Sequence, residues 1–331
     1  MKKIKIVLYG NGSGAEMWRL KDPSKYMAKS GKFDIKMPKG DMTWEDLMWA
    51  DIIVVQGLVD KLRISMIYAA QQEYGKKLVV EFDDYFRVEK DSPFKMIHNI
   101  HKAPEMIQVT MRIADMVVTT TEYLAEKFRK LNNNVKVCPN LMDMERWDLP
   151  TLPNDSNEIR IFWAGSMTHL NDFKEAVWAL KKILNKYDNV KLITMGDPRI
   201  KDYFEGYNVE CMLGVDGDHY QKRLHGVRFD IGIAPLRDTA FNRCKSYIKP
   251  LEYGICKAPC VASDVEPYRH FEDGTVLLAK NKEDWYEHLK RLIENEPYRK
   301  ELGKKMYKYV KREFNLERKI GIFIEAYASL V

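Results

Sequence analysis

Long apolar runs are missing from this 331-residue sequence. None approaches the roughly 18 consecutive apolar residues that a membrane-crossing helix requires. Met1-Lys2-Lys3 leads straight into a strand pattern, without the apolar core and cleavage site of a secretion signal, so a cytoplasmic protein is expected. Cysteine is scarce and odd in number. Cys256 and Cys260 stand four apart, but no second Cys/His pair follows at zinc spacing. Both a disulfide framework and a metal site are argued against. Cys138, Cys211, Cys244, Cys256 and Cys260 are expected to be reduced thiols, mostly buried. Neither an internal repeat nor a low-complexity tract appears.

What is present suits two ordinary cores. The length fits two domains of about 150 residues each, and hydrophobic residues make up 45% of the chain. The net charge of +6 is unevenly spread: between Lys280 and Lys319 thirteen Lys/Arg stand against eight Asp/Glu. That stretch has helical spacing, so a solvated helix surface is the first reading. A basic face for an anionic acceptor or a peripheral membrane contact is the second.

Short apolar runs alternate with helical patterns. Ile4–Tyr9 is rich in β-branched residues and ends in Gly10-Asn11-Gly12-Ser13-Gly14, as a buried parallel strand followed by a glycine turn does. Similar runs occupy 52–56, 78–82, 116–119 and 135–138, with a helical pattern at 123–131. From Asp148 to Glu158 the pattern dissolves into a proline-containing polar stretch, the best linker candidate. Strand patterns then resume at 159–163, 191–195, 231–234, 260–263 and 275–278, with helices to 187 and over 247–254. The chain closes on helices, the last at 316–330. This order predicts an α/β protein with two Rossmann-like parallel-sheet halves. Such sheets bind ligands at the carboxyl ends of their strands, here expected to face a central cleft.

Three stretches carry a family resemblance. The strongest runs from Asn242 to Ser263, NRCKSYIKPLEYGICKAPCVAS. Trp163-Ala-Gly-Ser-Met-Thr-His169 is the second. Ala114–Ala125 with Cys138-Pro-Asn140 is the third. Together they resemble retaining GT-B glycosyltransferases of the family 4 (group 1) type, in a compact bacterial and phage-like branch. The resemblance implies an acceptor domain over 1–150, a nucleotide-sugar donor domain over 151–315, and a helix at 316–331 that crosses back to the first domain. It also implies that Glu252 holds the donor ribose. The family usually carries a second Glu eight residues earlier, where Cys244 stands here. The ribose contact is carried over and the sugar contact is not.

A nucleoside diphosphate leaving group gathers negative charge as its glycosidic bond breaks, and enzymes of this fold generally meet it with protein groups rather than a metal. No cofactor is then expected beyond the nucleotide sugar itself, a UDP-sugar being the first choice. Lys245 and Arg243 are candidate phosphate cations, with Ser246 and Tyr247 opening a helix whose amino terminus favours an anion. Gly165 and Ser166 form a turn open to close backbone approach, with Thr168 and His169 as side-chain donors. Each has a plainer reading: Lys245 as a surface lysine, Glu252 as an ion-pair partner of Lys249, His169 as a helix cap.

On the acceptor side, Gly12 and Ser13 lie in a glycine-rich loop without dinucleotide spacing, and Arg19 follows as an added positive charge. Asp83 and Asp84 end the 78–82 strand pattern, where paired carboxylates suit acceptor binding or proton acceptance; a turn or cap is the alternative. The resemblance implies retention of configuration, the leaving phosphate helping to take the acceptor proton. The acceptor is expected to be a glycan, a lipid-linked sugar or a protein. DNA with hydroxymethylated bases is the specific alternative, on the basic surplus. A nucleotide-sugar epimerase and a non-catalytic nucleotide-sugar binder are the competing functions.

Overall fold

The computed structural model describes residues 2–92, 95–96, 102–152, 154–217, 219–271 and 274–331. Contacts divide the chain into two compact units. The first comprises Met1–Leu141, Cys244–Ser246 and Leu316–Val331; the second comprises Met142–Arg243 and Tyr247–Asn315.

Unit 1 is built on a six-stranded parallel sheet. Its strands are β1 (Ile4–Tyr9), β2 (Phe33–Lys36), β3 (Ile52–Gln56), β4 (Lys77–Glu81), β5 (Met116–Thr119) and β6 (Val135–Val137). Their order is β2-β1-β3-β4-β5-β6. The inner strands are apolar almost throughout because helices cover both faces. Asp60 caps the Lys61–Tyr74 helix through its carboxylate and Gly75, at φ +67°, ends it. Thr121 caps Glu122–Phe128 through its hydroxyl oxygen, which accepts from the Leu124 amide.

Unit 2 repeats the plan with β7 (Ile159–Gly165), β8 (Val190–Gly196), β9 (Val209–Leu213), β10 (Ile231–Ala234), β11 (Cys260–Ser263) and β12 (Val276–Ala279). The order is β12-β11-β10-β7-β8-β9, again all parallel. Its core gathers Trp163, Phe173, Ile183, Leu192, Ile233 and Trp285. In each sheet the chain first grows to one side of its starting strand and then returns to the other. Such a reversal leaves a crevice at the strand carboxyl ends, beside β1 and β3 in unit 1 and beside β7 and β10 in unit 2.

Two strands were not expected from the sequence, β2 and β9. Both are sheet edges. Their FDIK and VECML sequences mix charges with apolar residues, as an edge open to water on one side does, so neither shows a continuous apolar run. The closing helix is also not a single element: it breaks into Leu316–Lys319 and Gly321–Ala328, with Gly321 at the junction. Phe323 and Tyr327 of this segment are buried in unit 1, while Ile320 and Ile324 are only partly covered. Residues of the expected linker are tied into unit 2. Asp148 accepts hydrogen bonds from the Tyr307 hydroxyl (2.9 Å) and Lys311 Nζ (2.7 Å), and Asn154 Nδ2 donates to Asp230 Oδ2 (2.8 Å). Pro153 lies outside the described residues.

No helix among the described residues is long and apolar enough to cross a membrane.

Candidate functional site

In unit 2, β7 and β8 end on paired glycines, Gly165 and Gly196. A Cβ on Gly165 would stand 2.4 Å from the Trp163 ring, and one on Gly196 would stand 2.1 Å from the Gly165 carbonyl oxygen. Gly196 also adopts φ +128°, open to glycine alone. The two strand ends therefore present bare backbone. Beyond Gly165 the chain makes one tight turn, Met167–His169, into the Leu170–Lys186 helix. Ser166 Oγ and Thr168 Oγ1 sit 2.7 Å apart at that turn.

Asp172, in the first turn of that helix, organises the neighbouring loop. Its Oδ1 accepts from Asn242 Nδ2 (2.7 Å) and from the Arg237 amide (3.2 Å), and its Oδ2 pairs with His169 Nδ1 (3.1 Å). Burial alone would raise this carboxyl, but His169 foremost, then the Arg237 amide and Asn242, hold it below the ordinary carboxylate range. His169 is thus committed through Nδ1 to orienting the loop. Arg243 makes a two-pronged pair with Asp238, at 2.6 and 2.9 Å, near the surface.

Glu252 lies on the short Ile248–Ile255 helix and is 6% exposed. Tyr220, at the start of the Tyr220–Val227 helix, donates its hydroxyl to Glu252 Oε2 at 2.9 Å. Burial pushes the Glu252 carboxyl up to about 7, against the pull of Lys249 and the Tyr220 hydroxyl. Tyr247, just before this helix, sends its ring into an aromatic cluster, 5.8 Å from Phe271 and 5.2 Å from Phe314. Its side chain serves core packing.

Cys244, Lys245 and Ser246 group with unit 1. Cys244 is fully buried in that unit's apolar core, and burial pushes its thiol up to about 11. The residue eight positions before Glu252 is therefore a buried core thiol, kept protonated by its surroundings. Lys245 Nζ stands 3.5 Å from Asp84 Oδ1, and Asn140 Nδ2 donates to Ser246 Oγ at 2.8 Å. Asp83 is pushed up to about 6, by burial first and by Asp84 second, with Arg19 and Lys245 opposing. Lys245, Asp83 and Asp84 thus form one charge cluster just past the end of β4.

Arg19 departs from its expected role. It is 1% exposed and binds Glu81 through two nitrogens, at 2.7 and 3.2 Å. Its remaining donor reaches the Cys138 carbonyl (2.7 Å) and Asn140 Oδ1 (2.9 Å). The guanidinium locks β4 to the segment after β6 instead of presenting a charge to a ligand. Gly12 and Ser13 sit in an exposed loop at the end of β1. Gly12 adopts φ +72°, its amide donates to Glu16 Oε2 at 2.9 Å, and the Ser13 amide donates to Asn11 Oδ1 at 3.0 Å.

Sequence reasoning missed Gly196, Tyr220 and Asp172 as site residues. Gly196 was within reach as a glycine directly after a strand run. Tyr220 had no local signal, because its partner is 32 residues away, and Asp172 showed only its local neighbour His169 while Asn242 is 70 residues on. Among the described residues no group of three or more His, Cys, Asp or Glu is arranged to hold a metal ion.

No family model matches this sequence, and no curated protein matches it. Solved structures do match. Sucrose-phosphate synthase from Thermosynechococcus elongatus superposes with a TM-score of 0.70 at 13% identity, over 99% of both chains. Anabaena Alr3699/HepE, solved in complex with UDP-glucose, gives 0.68 at 13% identity, over 98% of this chain and 100% of that one. A putative UDP-N-acetylglucosamine 2-epimerase from Listeria monocytogenes gives 0.61 at 15% identity, over 99% of this chain and 96% of that one. Likeness at such identity speaks to the fold. Two six-stranded parallel sheets with flanking helices, matched along nearly the whole length of these proteins, give this chain the GT-B fold of two Rossmann-like domains.

Proposed function

We propose that the protein is a glycosyltransferase of the retaining family 4 type, taking a sugar from a nucleoside diphosphate, with a UDP-sugar as donor. The acceptor is a hydroxyl of a glycan, a lipid-linked sugar or a protein. The observation that carries the reading is the pair of bare strand ends, Gly165 and Gly196, beside the hydroxyls of Ser166 and Thr168. Diphosphate oxygens need close, unhindered donors, and backbone at the carboxyl end of a parallel strand meets that need. Glu252, held by Tyr220, is the ribose ligand of this reading. The fold match to HepE, a protein solved with UDP-glucose bound, is in keeping with it.

In the reaction the acceptor oxygen bonds to the anomeric carbon as that carbon's bond to the diphosphate breaks. The acceptor proton passes to the departing phosphate or to Asp83, and Lys245 offsets the charge left on the diphosphate. A second reading, epimerisation of a UDP-sugar, is favoured by the fold match to the Listeria 2-epimerase.

The test is thermal-shift binding of a nucleoside diphosphate panel to the wild type and to Glu252→Ala. A ligand at a hundred times its dissociation constant stabilises by about 2.7 kcal/mol. Stabilisation by one diphosphate that falls away in E252A supports the donor site, and absence of any shift at millimolar ligand sinks it. Sugar isomer formed from the UDP-sugar without a second substrate selects the epimerase.

A further inference from the structure

The Lys61–Tyr74 helix of unit 1 is apolar on both sides. Ile64, Ile67 and Ala70 face the core, yet Leu62 is 71% and Tyr68 48% exposed on the outer side. Beside it runs the Ala103–Ile113 helix, whose Val109 is 39% exposed. Between the two lies an open groove of about 470 Å³, walled by Ile64, Tyr68, Ala69, Val109 and Ile113 and by the polar Ser65, Gln72 and Glu73. Trp44 and Tyr74, ring centroids 5.7 Å apart, are also partly exposed, at the carboxyl end of the Lys61–Tyr74 helix. A single exposed leucine is ordinary, but an open groove with exposed apolar side chains on both walls suits an interaction surface.

Charge on this face identifies the partner. Glu105 and Arg112 are exposed and flank Val109 on the same side of their helix, seven residues and two turns apart. Their Cα atoms are then about 10 Å apart along the axis. Neither forms an ion pair among the described residues. A helix with an acid at one end of a patch and a base at the other is complementary to itself run backwards. We infer that this face is a homodimer interface, two Ala103–Ile113 helices packing antiparallel about a two-fold axis near Val109. Each Glu105 then meets Arg112 of the second copy, and Tyr68 of each copy fills the other's groove. A two-fold contact uses one patch twice, so it needs both the protruding ring and its receiving groove on one surface, as here. The inference is independent of the reaction proposed above.

The experiment is light-scattering mass measurement across a concentration series, with Glu105→Lys, Arg112→Glu and Tyr68→Asp. All three positions are solvent-facing, and circular dichroism melts check that the fold is retained. The wild type is expected at twice the 38.9 kDa chain mass. E105K and R112E alone each place like charges together twice and weaken the dimer at least about tenfold. Mixing E105K with R112E, or combining them in one chain, restores opposite charges and the dimer. Y68D weakens it without rescue. A monomeric wild type at about 100 μM overturns the inference, micromolar affinity being the weak end of what a specific interface supplies. So does a dimer unmoved by the three variants, and so does failure of the mixture to re-form it.

Discussion

Arg19 and Glu81 meet at 2.7 Å with neither side chain touching solvent. The Phe323 ring lies 5.8 Å from the guanidinium, so the last helix helps to seal the pair from water. Removing one partner of a buried pair leaves an uncompensated charge and costs about 3–5 kcal/mol. Here the loss is compounded, because the Cys138 carbonyl and Asn140 Oδ1 lose their donor as well. Arg19→Ala is expected to lower the stability of unit 1 by that amount in urea unfolding. Arg19→Met with Glu81→Leu should recover most of it. A single-variant loss under about 1 kcal/mol would show that the pair is not what ties β4 to the segment after β6.

Two glycines with positive φ separate close packing from backbone freedom. At Gly196 a Cβ meets the Gly165 carbonyl at 2.1 Å, whereas at Gly206, φ +82°, nothing lies within 4 Å. Gly206→Ala therefore pays only for the left-handed backbone, about 1 kcal/mol. Gly196→Ala must also push β7 from β8, and is expected to lose more than about 2 kcal/mol and the diphosphate response together. Equal melting points for the two variants would remove the argument that the strand ends are held bare.

How much of this was legible beforehand follows from the range of each interaction. β1, β3, β5, β10 and β11 were placed to the residue because a strand covered on both faces writes itself as an unbroken apolar run. The Gly165 turn was readable for the same reason: a strand, a glycine and a helix follow one another locally. Arg19 was misread because its burial depends on Glu81, 62 residues on, and Asn140, 121 residues on. Tyr247 does open its helix as expected, but the packing of its ring on Phe271 and Phe314 had no local signal. Composition says that such residues exist, and only the fold says which of them meet.

Asp83 has its carboxyl pushed up to about 6, where it is poised to take a proton near neutrality. If it accepts the acceptor proton, turnover rises as pH increases through about 6 and levels off above. Asp84→Asn removes a repelling neighbour and should move that rise to lower pH; Lys245→Ala removes an attracting one and should move it higher. Asp83→Asn is expected to reduce kcat about 10²–10⁴-fold, the usual worth of a positioned acid–base group, while UDP still raises the melting point. A pH profile identical in wild type and D84N would take Asp83 out of proton transfer.

Glu252 ties the donor-site reading to a stability measurement that needs no substrate. Its carboxyl, moved up from 4.5 to about 7 by burial, takes a proton more readily in the folded chain than in the unfolded one. For an acid shifted upward, that contribution is fully present below the unfolded value. It is lost as pH rises through the folded value, so the window runs from about pH 4.5 to 7. At about 1.4 kcal/mol per unit, the loss has an upper limit of roughly 3 kcal/mol. Glu252→Gln keeps the shape, keeps an oxygen for the Tyr220 hydroxyl and cannot ionise. The variant should be more stable than wild type at pH 8, and should lack the part of the wild-type decline between about pH 4.5 and 7 that this group causes. Its nucleotide affinity should nonetheless fall, because a neutral amide is a weaker acceptor for ribose hydroxyls than a carboxylate. Melting curves at several pH values, with and without UDP, read both effects. Parallel pH profiles for the two proteins would mean that Glu252 is ionised without penalty, and hence that water reaches it in the folded chain.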